Sequence, residues 1–119
     1  MTQPSRGGAE LPLFVKWLEF LKWLFPTLDK FPKKSRFTVA IRLQNMALDI
    51  VDLLVESKYS REKIARLKKV NLHLEKMRIL LRISHEIKLM PAKSYHFAMK
   101  QINEAGMMVG GWIREREKR

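Results

Sequence analysis

Residues 61–89 read REKIARLKKVNLHLEKMRILLRISHEIKL. Ile64, Leu67, Val70, Leu74, Met77 and Leu81 recur at spacings of three and four, which places them on one face of an α-helix. Leu72, Ile79, Ile83, Ile87 and Met90 form a second apolar series on roughly the opposite face. Glu62, Arg66, Lys69, His73 and Lys76 run along one flank, and Lys68, Glu75, Arg78, Arg82 and Glu86 along the other. Two opposed apolar seams imply burial against the helix's own bundle and against something else. A second protomer is the economical candidate.

The neighbouring segments carry the same period. Upstream, a helix is predicted over about Arg36 to Glu56, with Thr38, Arg42, Asn45, Asp49, Asp52 and Glu56 as one narrow polar strip. So little polar surface calls for cover on more than one side. Ser57–Ser60 breaks the pattern, with Ser60 as a candidate N-cap and Lys63 where a capping box would want Glu. Before that, Leu13, Trp17, Leu21, Leu24, Leu28 and Phe31 mark a helix from Pro12 to Lys30, which Pro26 should kink. Trp23 lies off that stripe, as a surface aromatic or a subunit contact.

Downstream of the Met90-Pro91-Ala92 break, Tyr95, Ala98, Ile102, Ala105, Val109 and Trp112 make the seam of a helix over about Ser94 to Glu115. Gly106, Gly110 and Gly111 each cost about 1 kcal/mol there relative to Ala, so a second backbone is expected to come close. The reading is all-α: an antiparallel up-down four-helix bundle over residues 11–115, with a flexible tail at 1–10 and a charged tail at 116–119.

With 119 residues the chain suits one domain, and it has no cysteine. That excludes disulfides, thiol catalysis and cysteine-ligated metal centres. No secretory signal or membrane span is read, and a cytoplasmic protein is expected. His73, His85 and His96 are scattered without metal-binding spacing, and no carboxylate is paired with a nucleophile. Neither catalysis nor a cofactor or metal is expected.

Charge is the informative feature. The 24 Lys and Arg against 12 Asp and Glu leave +12. Eleven basic and only three acidic residues fall within 58–93, so a polyanionic partner, nucleic acid or an acidic surface, is the default. Arg66, Lys69, His73 and Lys76 follow one helix face with no acid after Glu62, and phosphates would relieve their repulsion. A solvated face is the plainer alternative. Glu75, Arg78, Arg82 and Glu86 stand at three- and four-residue spacings that suit an ion-pair ladder.

Three stretches carry a resemblance to a known family: Phe31-Pro32-Lys33 with Arg36-Phe37-Thr38, Arg42 and Leu53-Leu54-Val55-Glu56; Leu74-x-x-Met77-Arg78-Ile79-Leu80-Leu81-Arg82-Ile83; and Gly106-Met107-Met108-Val109-Gly110-Gly111-Trp112-Ile113. The chain resembles the accessory variability determinant (Avd) proteins of diversity-generating retroelements from Trp17 to Glu115. The resemblance implies a four-helix bundle assembled into a basic, barrel-like homopentamer that associates with the element's reverse transcriptase and template-repeat RNA. Together they make the mutagenised complementary DNA that diversifies a target gene. It also implies Arg78 and Arg82 as matched basic positions, with RNA and DNA as ligands. The position after Gly106 is usually basic in that family and is Met107 here. The competing reading is a structural four-helix-bundle oligomer, such as those encoded within ribosomal RNA intervening sequences, or a scaffold for protein or membrane, without a nucleic-acid role.

Overall fold

A computed structural model describes residues 10–118; the tail expected at 1–10 lies, Glu10 apart, outside them. Helix α1 is Glu10–Leu28. Helix α2 is a continuous helical rod over residues 33–59, made of a first turn at Lys33–Ser35, a π-helical turn at Arg36–Ala40 and a regular α-helix at Ile41–Tyr59. Helix α3 is Lys63–Glu86 and helix α4 is Ala92–Glu117. No strand occurs among the described residues.

Contacts between side chains set the directions. Lys16 meets Gln101 and Glu104, and Trp23 meets Phe97, so α1 and α4 are antiparallel. Asp49 faces His73 and Glu56 faces Arg66 across the α2–α3 boundary, and Arg78 meets Asn103 between α3 and α4. The up-down bundle expected from the sequence is therefore observed, about 47 Å long.

All six residues of each expected principal seam in α1, α3 and α4 face the core, with Ile64 and Tyr95 half-buried. The indole of Trp17 donates from Nε1 to the carbonyl of Ala47 at 3.0 Å, satisfying a buried polar group while joining α1 to α2. Ser57 and Ser84 are buried, and their hydroxyls donate to the carbonyls of Leu53 and Leu80 one turn back.

Several local expectations change. Helix α1, with Pro26 in its last turn, ends at Leu28, two residues before the expected Lys30. Ser60 does not cap α3: that helix starts at Lys63, and the Ser60 hydroxyl accepts the Glu62 N–H in the connecting turn. Lys63 donates from Nζ to the carbonyls of Ser57 and Lys58, so its charge closes the C-terminus of α2, where a cation is favoured. Met90 leaves the second apolar series of α3 and enters the core. The helix has already ended there: Leu89 N–H bonds to Ser84 and Lys88 N–H to His85, with Lys88 at φ 65°. That left-handed residue swings the chain off the helical period. Helix α4 extends to Glu117, beyond the expected boundary.

Candidate nucleic-acid interface

The basic side chains of α3 divide into two flanks, and the bundle treats them differently. On the flank toward α2, the structure corrects the expectation of an uncompensated strip. Arg66 turns back, placing Nη1 3.7 Å from the Glu56 carboxylate, while its Nε is buried without an acceptor. His73 sits with Nδ1 2.9 Å from the Lys69 carbonyl and Nε2 3.9 Å from Asp49. The compensating acids come from α2, whose polar strip is brought alongside by antiparallel packing. Lys69 and Lys76 remain fully on the surface.

On the flank toward α4, the expected ladder resolves into two separate pairs. Arg82 Nε donates to Glu86 at 3.1 Å, an exposed contact one turn along the helix and weak on that account. Arg78 is held more firmly. Its Nε donates to Asn103 Oδ1 of α4 at 2.8 Å and its Nη1 to Glu75 Oε1 at 3.0 Å. The third nitrogen, Nη2, lies over Gly106: a Cβ built there would be 2.9 Å from it and 3.9 Å from Leu74 Cδ1.

Within the chain, what approaches the glycines of α4 is therefore the end of an arginine, not the second backbone expected from the sequence. At Gly110 a Cβ would stand 3.4 Å from Arg114 Nη1, and at Gly111 3.9 Å from Arg114 Nη2. Asn71, Arg78, Asn103, Gly106, Met107, Gly110 and Arg114 line one open concavity of about 490 Å³. Sequence reasoning picked out Arg78 and the glycines but missed Asn71, Asn103 and Arg114. The i, i+4 step from Gly110 to Arg114 was the available signal.

Trp112 is buried in the core. Trp23 is half-buried, with its ring centroid 5.8 Å from Phe20 and 4.5 Å from Phe97. One titration is displaced at the edge of this region. The hydrogen bond from Lys16 holds the Glu104 carboxyl below its ordinary range, desolvation opposes this, and the charges of Lys16 and Lys100 add to the lowering. Among the described residues no cluster of three or more His, Asp or Glu side chains could hold a metal, and no helix is long and apolar enough to cross a membrane.

Comparison with curated proteins and with solved structures returns no match. A family model described as bAvd-like matches residues 13–116, from the first buried leucine of α1 to the last turn of α4. With all four helices covered by that match, the chain belongs to the bAvd-like family.

Proposed function

We propose that this chain is a non-catalytic, nucleic-acid-binding accessory protein of a diversity-generating retroelement, acting with the element's reverse transcriptase and template RNA. Family membership supports the retroelement role and association with a reverse transcriptase in general. The observation that carries nucleic-acid binding is the +12 charge, concentrated in residues 58–93 and displayed on α3 by exposed Lys68, Lys69, Lys76 and Arg82. Contacts from such side chains reach phosphates and release counterions, so they supply affinity with little sequence discrimination.

The chain acts as a closed homo-oligomer, a pentamer by the resemblance. Two rows of exposed apolar side chains support assembly: Leu72, Ile79 and Ile83 on α3 with Ile87 just past its end, and Phe37, Ile41, Leu48, Val55 and Tyr59 on α2. Two different patches on one protomer suit a head-to-tail contact, which closes into a ring when the rotation allows. Each protomer would then repeat its basic surface, and modest contacts would combine through avidity.

Labelled RNA titrated against the assembled protein over a salt series tests the reading. Affinity is expected to fall linearly with salt on logarithmic axes and to vary little between sequences. Lys69→Glu with Lys76→Glu, compared with Arg78→Ala and Arg82→Ala, assigns the flank. Absence of RNA binding by the intact oligomer would leave the structural-scaffold alternative in its place.

A further inference from the structure

We propose that the concavity between α3 and α4, floored by Gly106 and Gly110, is a phosphate site that seats the backbone of a nucleic-acid strand, with Arg78 and Arg114 as its two cations. The proposal rests on the nucleic-acid reading above and assigns it a place.

Three glycines within six residues of a helix are costly, since each weakens the helix by about 1 kcal/mol relative to Ala. Two of them line the floor; a Cβ at Gly106 would crowd a guanidinium, while one at Gly110 or Gly111 would meet Arg114 at ordinary contact distance. At Gly106 the space is occupied by Arg78 Nη2, which could not stay where it is if a Cβ were present. Arg78 is also pre-oriented: Asn103 accepts from Nε and Glu75 from Nη1, leaving Nη2 without an acceptor among the described residues. Arg114 lies one turn along, against Gly110 and Gly111, and its guanidinium has no hydrogen-bond or ion-pair partner among the described residues. Four residues of helix advance about 6 Å, which sets the two cations apart along α4 on the scale of successive phosphates.

The remaining polar groups point to the same ligand. Because Asn103 Oδ1 accepts from Arg78, its amide nitrogen is left to donate, and Asn71 adds a second amide to the wall. A site rich in donors, with one carboxylate already engaged by Arg78, favours an anion with several acceptor oxygens, and planar guanidinium groups match phosphate geometry. Met107 lies on the rim, 68% exposed, and offers a polarizable apolar surface to a sugar or base beside the phosphate. The concavity is open to solvent, so a strand need not end there.

The test uses the full chain and a fluorescein-labelled single-stranded RNA of fixed length, titrated at several salt concentrations. Arg114→Ala is expected to weaken binding about tenfold and to flatten the salt slope by about one. Gly106→Ala is the sharper variant, because it leaves the net charge at +12 while displacing Arg78, and it should weaken binding comparably. Lys100→Ala removes one charge from α4 outside the concavity and should change affinity less than twofold. If Gly106→Ala unfolds by circular dichroism, Arg114→Ala alone decides, since its side chain is exposed. Wild-type RNA binding with both variants unchanged overturns the site while leaving the nucleic-acid reading intact. A wild-type protein that binds no RNA overturns both. Intact RNA affinity with lost reverse-transcriptase association would reassign the concavity to a protein contact and overturn the proposal.

Discussion

Lys88 closes α3 in a left-handed conformation, with φ 65°, a place usually taken by glycine. The strain on an L-residue there exceeds the entropic cost of glycine, so Lys88→Gly is expected to stabilise the bundle by about 0.5–1 kcal/mol. Urea unfolding of the two proteins side by side checks it, and a less stable variant would mean that the lysine side chain matters more than the backbone. Trp112 is the opposite case. It is 3% exposed at the end of the α4 seam, and truncating a buried aromatic of this size costs about 3–5 kcal/mol. Trp112→Ala should unfold at markedly lower temperature, and an unchanged transition would contradict its place in the core. The helical period made Trp112 legible as a seam residue. Nothing local marked Lys88, because a lysine in a turn carries no signature of a positive φ.

Elements are joined here by a few polar ties laid over the apolar core. Lys16 links α1 to α4 through Glu104 at 2.7 Å and Gln101 at 2.9 Å, on a partly exposed edge. Because the folded-state pKa of Glu104 is lowered, its stabilising contribution is present above the usual carboxylate range and is lost as pH falls through the folded value. Glu104→Gln is therefore expected to lower the melting temperature slightly at pH 7 and to approach the wild type as the pH is taken down into the acid range. A gap that persists in acid would place the effect in packing. Helix boundaries were legible to within a few residues, as their dependence on caps and flanking turns allows. The π-helical turn at Arg36–Ala40 was not. It adds a residue to one turn of α2 next to the Phe31-Pro32 break, leaving Phe37 72% exposed over a hollow lined by Leu28, Asp29 and Gln44. Residue propensity distinguishes π from α turns poorly.

The whole molecule leaves more apolar surface uncovered than its own core requires. Leu72, Ile79 and Ile83 on α3, Ile87 just past its end, and a row ending in Tyr59 at 78% exposure on α2 lie outside the bundle. Ile79→Asp with Ile83→Asp is expected to break assembly while sparing the monomer fold, since both side chains point away from the core. Sedimentation velocity at micromolar concentration reads this directly. A wild-type chain that sediments as a stable monomer would remove the ring.

The sequence alone determined the number of helices, the core faces of α1, α3 and α4, the basic surplus and the presence of a second apolar series, since each is carried by residue type and spacing along one helix. The tertiary structure decided which charges are compensated and which stand ready. Antiparallel packing brings Glu56 to Arg66 and Asp49 near His73, and it sets Asn103 and Gly106 opposite Arg78. These pairings join residues from 10 to 28 positions apart, so the helical period cannot supply them. They exist only once burial of the seams has fixed how far each helix slides past its neighbour.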